Sequence, residues 1–69
     1  MIKNNLEHLR TQKGMSKTQF VFFLGIVSEM QYTRYEKSAQ QPTLATALKI
    51  AKKLETTVDE IWSIDENGE

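Results

Sequence analysis

SKTQFVFFLGIVSEMQYTRYEK, residues 16–37, is the stretch that decides the fold of this chain. It contains two pairs of residues, Ser16 with Gln19 and Ser28 with Gln31, in which a serine precedes a glutamine by three positions. At a helix start, such a hydroxyl accepts from the backbone N–H three residues on, while the longer side chain reaches back to the N–H of the capping residue. The two pairs therefore predict two helix starts.

Gly25 separates these two candidate helices. Glycine adopts the left-handed conformation that ends a helix at little steric cost. We therefore predict one helix over residues 17–24, a tight turn, and a second helix from just after Ser28 to about Lys37. This is the helix-turn-helix arrangement, whose second helix is slim enough to enter a DNA major groove about 12 Å wide.

Three further helices are predicted around this unit. The first ends at Gly14, Thr43 is the expected cap of the fourth, and Thr57 with Glu60 repeats the capping pattern ahead of the fifth. The predicted ranges are about 2–13, 44–54 and 58–64. The fourth carries leucine and alanine at helical spacing, which predicts an apolar stripe facing the core.

The chain has 69 residues, enough for one small domain. No segment alternates with a period of two for long enough to predict a strand. We therefore predict an all-α fold, a compact five-helix domain over residues 1–64, followed by a flexible acidic tail over residues 65–69. Cysteine is absent and His8 is the sole histidine, so neither a disulfide nor an ordinary metal site is expected.

Composition also argues against several classes of function. No nucleophile with a base, carboxylate pair or phosphate-binding glycine loop can be assembled, so we expect no enzyme and no cofactor. The start lacks the apolar stretch of a signal peptide, and no run approaches the roughly 20 apolar residues of a membrane span. These features predict a cytoplasmic protein that does not act on membranes and has no separate small-molecule domain.

Charge is segregated along the chain, although the formal net charge is zero. Residues 1–37 hold six basic and three acidic side chains, a net charge of +3, and residues 38–69 hold three basic and six acidic side chains, a net charge of −3. A basic half and an acidic half suit a protein that turns one face toward phosphates.

Together these features resemble the phage Cro/repressor-like helix-turn-helix proteins, also called the XRE family. The matching segments are LRTQKGMSKTQF, FLG, RYEK, QPTLATALKIAKKLE and TTVDEIW, within residues 3–64. The resemblance implies a lambda-repressor-like domain that binds double-stranded operator DNA as a homodimer, with the third helix in the major groove. It therefore predicts a sequence-specific transcriptional regulator, and a repressor in preference to an activator.

The resemblance also implies which residues contact DNA. Residues at the start of the third helix match base-reading positions, and residues at the start of the second helix and beyond the third match phosphate contacts. The base-reading candidates are Ser28, Glu29, Met30 and Arg34, with Gln31 and Thr33 close by. The phosphate candidates are Lys17, Thr18, Lys37, Gln40 and Gln41.

Side-chain chemistry supports the base-reading role. Arg34 can donate two hydrogen bonds to guanine, and Gln31 can bind adenine in the same bidentate way. Glu29 can accept from the amino group of cytosine, and Met30 can contact a thymine methyl. The residue types also allow other interpretations, since Met30 could fill the core and Arg34 and Glu36 could be ordinary solvated charges.

The fifth helix is expected to form the dimer interface, because tryptophan is enriched at interface cores and related domains often pair there. The residues concerned are Val58, Ile61 and Trp62. Trp62 is also expected to pack its inner edge into the core.

Four consecutive apolar residues, 21–24, cannot all face inward from one helix turn. Either Phe22 or Phe23 is drawn into the core, or one of them stays exposed as a contact surface. An exposed aromatic would suit a competing function, an antitoxin-like or other protein-binding module. That function predicts partner capture insensitive to salt, whereas DNA binding predicts an affinity that falls steeply with salt. Tyr32 and Tyr35 are expected to pack inward.

Two positions depart from the family pattern. Ile26 and Val27 both lie between the turn glycine and Ser28, where the family usually has one apolar residue, and the extra residue is expected to shift the third helix. Glu55 stands where a glycine commonly ends the fourth helix, and a left-handed residue other than glycine costs about 1 kcal/mol.

Overall fold

The computed structural model describes residues 2–64, in which five helices and two short strands are found. Their bounds in chain order are β1 Ile2–Asn4, α1 Leu6–Gln12, α2 Lys17–Leu24, α3 Glu29–Glu36, α4 Leu44–Lys53, α5 Val58–Ile61 and β2 Trp62–Ile64. The predicted five-helix architecture is confirmed. The predicted tail over residues 65–69 lies outside the described residues. Across the described part, no helix combines the length and apolarity needed to span a bilayer.

Side-chain caps explain where α2 and α3 begin. The Gln19 backbone N–H donates to Ser16 Oγ at 3.2 Å, and Gln19 Oε1 accepts from the Ser16 N–H at 2.9 Å. Ser28 and Gln31 repeat this pair of bonds at 3.1 and 3.2 Å. Gly25 ends α2 in the left-handed region with a φ of 70°. Both capping boxes and the glycine stop are therefore confirmed.

Two predictions about the ends of the domain are wrong. Residues 2–4 are not the first turn of α1, and residues 62–64 are not the last turn of α5, because the two segments pair as antiparallel strands with Asn4 opposite Trp62. Asn4 Oδ1 accepts from the backbone N–H of Leu6 at 3.0 Å, just where α1 begins. Asparagine often binds nearby backbone groups in non-helical conformations, which favours this boundary.

The third predicted capping box is also wrong. Thr57 precedes α5 in an extended conformation, but its side chain makes no capping hydrogen bond, and α5 has only four residues. Thr43 does cap α4, since its Oγ1 accepts from the Thr46 backbone N–H at 3.2 Å. Glu55 follows α4 with a φ of 58°, the left-handed conformation predicted for it.

The core lies where the helices meet. Phe20 of α2 and Tyr32 of α3 are fully buried, with ring centroids 5.4 Å apart in an edge-to-face arrangement. The other buried side chains are Leu6, Leu24, Tyr35, Ala47, Ile50, Ala51, Ile61 and Trp62. The inward packing of Tyr32 and Tyr35 is thereby confirmed. This core holds α3 by one side and leaves its other side in solvent.

Candidate nucleic-acid interface

The solvent face of α3 carries the base-reading candidates. Thr33 is half-buried, and the exposed candidates are Ser28, Glu29, Met30, Gln31 and Arg34. Met30 is 65% exposed, so its interpretation as core filler is wrong. Arg34 has no carboxylate within 4.0 Å among residues 2–64. Its guanidinium therefore keeps its donors for an external acceptor.

Neighbouring groups already hold two of these candidates. The Thr18 hydroxyl donates to Glu29 Oε2 at 2.8 Å, which joins the first turns of α2 and α3. Gln31 Oε1 accepts from the Ser28 N–H, so only its amide nitrogen can reach outward while the cap is closed. A bidentate contact of Gln31 with adenine therefore requires that capping bond to open.

The phosphate candidates also lie at the surface. Lys17 is half-buried, and the exposed ones are Thr18, Lys37, Gln40 and Gln41. Lys17 Nζ lies 3.8 Å from Glu36 Oε1, so an internal carboxylate partly neutralises this cation. Lys37 follows the last residue of α3, where a positive charge is also favourable for the helix dipole.

The opposite end of α3 is anchored by Glu36, whose side chain is only 8% exposed. The carboxylate accepts from Arg10 Nε at 3.1 Å and from the Tyr32 hydroxyl at 2.7 Å. Arg10 also donates to the carbonyl oxygen of Met15 at 3.0 Å. The interpretation of Glu36 as an ordinary solvated charge is therefore wrong. Sequence reasoning missed this cluster because its members are adjacent only in the folded chain.

These contacts shift the pKa of two groups. Burial, and then the hydrogen bond and charge of Glu36, raise the pKa of the Tyr32 hydroxyl well above its ordinary value. The hydrogen bond with Glu36 raises the pKa of the Arg10 guanidinium, although burial acts in the opposite direction. Tyr32 therefore stays a neutral donor and Arg10 a charged donor at neutral pH.

Asn4 supports the same end of α3 from β1. Its Nδ2 donates to the carbonyl oxygen of Tyr35 at 3.0 Å and to Ser38 Oγ at 3.1 Å. Ser38 has a φ of 61°, a left-handed residue just beyond the helix. The Tyr35 carbonyl oxygen also accepts from the Ser38 backbone N–H at 3.0 Å, so Asn4 adds a second hydrogen bond at the helix end. The strand that the sequence did not predict thus helps to position α3.

The predicted dimer residues lie mostly inside the domain. Ile61 and Trp62 are buried and Val58 is half-buried, so the inward packing of Trp62 is confirmed. Larger apolar surfaces are found nearby on α4, where Leu44 is 72% exposed and Leu48 is 54% exposed. The apolar stripe of α4 is therefore only partly used by the core.

The adjacent phenylalanines of α2 have different environments. Phe22 is 89% exposed, whereas Phe23 is half-buried and stacks on Phe20 with ring centroids 6.2 Å apart. Of the two outcomes expected from the apolar run, Phe23 packs against the core and Phe22 stays exposed.

Two capped helices joined by a glycine turn, the second with an exposed polar face, define a helix-turn-helix domain, a class of protein that binds DNA. The family model described as helix-turn-helix matches residues 6–61. The chain belongs to the Cro/repressor-like helix-turn-helix family that the resemblance indicated.

A similar protein is the cryptic phage CTXphi transcriptional repressor RstR of Vibrio cholerae serotype O1. The two are 35% identical over 71 aligned residues, which cover 99% of this chain and 62% of the relative. The chain therefore spans less than two thirds of the relative's length.

Proposed function

We propose that this chain is a transcriptional repressor that binds double-stranded operator DNA as a homodimer, with α3 in the major groove. One observation carries the proposal: the outward side chains at the start of α3, Glu29, Met30 and Gln31, are exposed, while the end of the helix is held from outside by Arg10 and Asn4. A helix fixed in this way needs no ordering of its backbone when it binds, which reduces the entropic cost. Family membership and the similarity to a phage repressor support the same function.

The base-reading chemistry follows from which atoms are already engaged. Arg34 is assigned to guanine, because its guanidinium can donate two parallel bonds to O6 and N7. Glu29 is assigned to cytosine, since Thr18 holds Oε2 and leaves Oε1 to accept from N4. Met30 is assigned to a thymine methyl. Gln31 offers only N–H donors while its cap is closed, so an acceptor such as guanine O6 or thymine O4 suits it better than adenine.

Phosphate binding is assigned to the start of α2 and to the segment after α3. Lys17 and Thr18 are the candidates on α2, and Lys37, Gln40 and Gln41 are the candidates beyond α3. Each phosphate neutralised by a lysine or arginine adds about −0.9 to the slope of log affinity against log salt. The proposal therefore predicts steeply salt-dependent binding, despite the zero net charge of the chain.

The dimer is assigned to an apolar surface where α4 meets α5. Leu44, Val58, Trp62 and Ile2 line a groove of about 150 Å³, and Leu48 lines a second groove that also includes Val58. Val58 thus joins the exposed leucines of α4 into one apolar surface. In a dimer formed there, the two copies of α3 must lie about 34 Å apart to enter successive major grooves.

The test is selection of bound fragments from a randomised duplex library at two salt concentrations, with the wild-type chain, Arg34→Ala and Lys3→Ala. The wild type is expected to enrich one inverted-repeat sequence and to lose affinity steeply at the higher salt. Arg34→Ala should lose preference at one base pair of each half-site, by about 1–3 kcal/mol. Lys3→Ala removes an exposed cation on β1 and should leave the preference unchanged.

Two outcomes would contradict the proposal. If the wild type enriched no sequence, the proposed sequence-specific DNA binding would be wrong. If Arg34→Ala kept the wild-type base preference, the assignment of Arg34 to a base contact would be wrong. The dimer is tested separately by sedimentation of Leu48→Glu. This variant should remain folded, because Leu48 is outside the core, and should sediment as a monomer.

A further inference from the structure

We propose that this chain has a second binding surface, which docks an acidic protein segment carrying one apolar anchor residue. The surface is a groove of about 590 Å³ between the end of α2 and the end of α4. Phe23 and Ile26 form much of its apolar floor, and Lys49, Lys52 and Lys53 lie along it. We call it the basic groove. No residue of α3 lines it, so it is distinct from the proposed DNA interface.

Positive charge is concentrated at the basic groove. Glu55 is the single acidic residue among the side chains that line it, against three lysines. Lys13 adds a fourth cation, because the Nζ atoms of Lys13 and Lys53 lie 5.3 and 5.5 Å from the centroid of the Phe23 ring. Within the described part of the chain, none of these four lysines has a carboxylate within 4.0 Å. The charge of these lysines is therefore available to an outside partner.

The floor of the groove adds an apolar component to this charge. Phe23 is half-buried, Ile26 is exposed, and the largely exposed Phe22 is adjacent in sequence. An apolar floor between lysine side chains fits an apolar side chain flanked by carboxylates. Protein interfaces combine these two features, an apolar centre and complementary charge around it.

The same combination argues against two other occupants. A DNA backbone offers phosphates but no apolar group that would fill a floor of phenylalanine and isoleucine. The exposed leucines of α4, which we assign to contact with a second copy of this chain, line other grooves. An acidic segment of another protein with one apolar side chain would complement both the lysine charges and the apolar lining of the groove.

This surface does not depend on the proposed DNA function, and its test uses no DNA in the first step. Random 12-residue peptides displayed on phage are selected against the immobilised full chain. The expected consensus has three or more Asp or Glu residues around one Phe, Leu or Ile. A synthetic peptide of that consensus is then titrated into isotope-labelled protein, and the shifted amide signals should map to residues 23–26 and 49–55.

The matched variants are Lys49→Gln/Lys53→Gln and Lys3→Gln. Glutamine removes the charge without placing an acid near the C-terminus of α4, where it would oppose the helix dipole. The double variant should keep the wild-type circular dichroism spectrum and bind the peptide at least tenfold more weakly, whereas Lys3→Gln should bind it as the wild type does.

Several results would overturn the proposal. They are a selection that yields no consensus, a consensus without acidic residues, and peptide binding that the double variant leaves intact. A double variant that loses DNA affinity by the same factor as peptide affinity would identify the groove as a phosphate surface. A double variant with altered sedimentation would identify it as a contact between copies of this chain.

Discussion

The two ends of α3 differ in almost every physical respect. At the first turn, the side chains of Glu29 and Met30 are in solvent, and Glu29 makes one hydrogen bond at the surface. At the last turn, the Glu36 side chain is only 8% exposed and accepts from Arg10 of α1. The exposed side chains of the first turn therefore add little to folding and are available for recognition, whereas Glu36 contributes stability and fixes the end of the helix against α1.

This difference has a consequence for substitutions. A change at the last turn of α3 should lower the free energy of unfolding. A change at the outward side chains of the first turn, Glu29 or Met30, should leave that free energy nearly constant and alter only binding. Four substitutions test this separation, from the largest expected loss of stability to the smallest.

Glu36→Ala should have the largest effect. It leaves the Arg10 guanidinium and the Tyr32 hydroxyl without their shared acceptor. Removing one partner of a fully buried ion pair costs about 3–5 kcal/mol, and this pair is partly buried, so we expect a loss near the lower end of that range. A core of this size rarely supplies more than about 3–5 kcal/mol in total, so the variant should unfold at a much lower urea concentration than the wild type.

The control for Glu36→Ala is Glu7→Ala, which removes an exposed carboxylate on α1. Its free energy of unfolding should stay within about 0.5 kcal/mol of the wild type. Equal stability of the two variants in urea titrations would show that the Glu36 cluster does not anchor α3.

Tyr32→Phe should have the next largest effect. The ring remains in the core, but Glu36 loses a charge-assisted bond of 2.7 Å, which contributes about 1.5–3 kcal/mol. Urea titration at neutral pH measures this loss.

The same variant also tests a pH dependence. The folded-state pKa of Tyr32 is raised above its unfolded value of about 10. Its contribution to stability is therefore fully present below pH 10 and is lost as the pH rises beyond that value. The wild type should lose more stability than Tyr32→Phe above pH 10. If the free energy of unfolding fell equally with pH in the two proteins above pH 10, the assigned role of the buried Tyr32 hydroxyl would be wrong.

Asn4→Ala should cost about 1–2 kcal/mol, because it removes the donors to Tyr35 and Ser38 and the acceptor for Leu6. Asn4→Asp is the informative partner variant. It keeps an acceptor for Leu6 but places a negative charge beside the carbonyls at the end of α3, and it should be at least as unstable. A thermal melt of Asn4→Asp that matches the wild type would show that Asn4 acts only through α1.

Thr18→Val should have the smallest effect on folding, less than about 0.5 kcal/mol, because its bond to Glu29 is at the surface. It frees the Glu29 carboxylate to rotate, so discrimination at the proposed cytosine should weaken by up to about tenfold. Competition binding with single-base operator variants measures this ratio. A change in affinity that is equal for every operator variant would instead support a phosphate role for Thr18.

The parts of the fold that the sequence predicted are those set by neighbours in the chain. The boxes at Ser16 and Ser28 and the turn at Gly25 depend on contacts within a few residues, and each formed as predicted. The similar pattern at Thr57 failed, since that short segment ends in a strand whose partner is at the start of the chain. Local patterns carry no information about such a partner.

The candidate site divides in the same way. Exposure of the α3 face was predictable, because the buried Tyr32 and Tyr35 fix which side of the helix turns inward. The choice between Phe22 and Phe23 was not predictable, since it depends on how α2 packs against the rest of the domain. The hydrogen bonds from Thr18 to Glu29 and from Arg10 to Glu36 were also not predictable, because each connects two different helices.

The sequence by itself determined that this protein is a helix-turn-helix domain and which face of the third helix is polar. Capping, glycine conformation and apolar spacing are local properties, and they act before any distant contact forms. Only the tertiary structure decided how that helix is held and which side-chain atoms remain available to a partner. The burial of the Glu36 side chain, the bonds from Asn4 and the lysines around Phe23 arise from residues that are distant in sequence and are brought together by packing. Such contacts exist only in the folded chain.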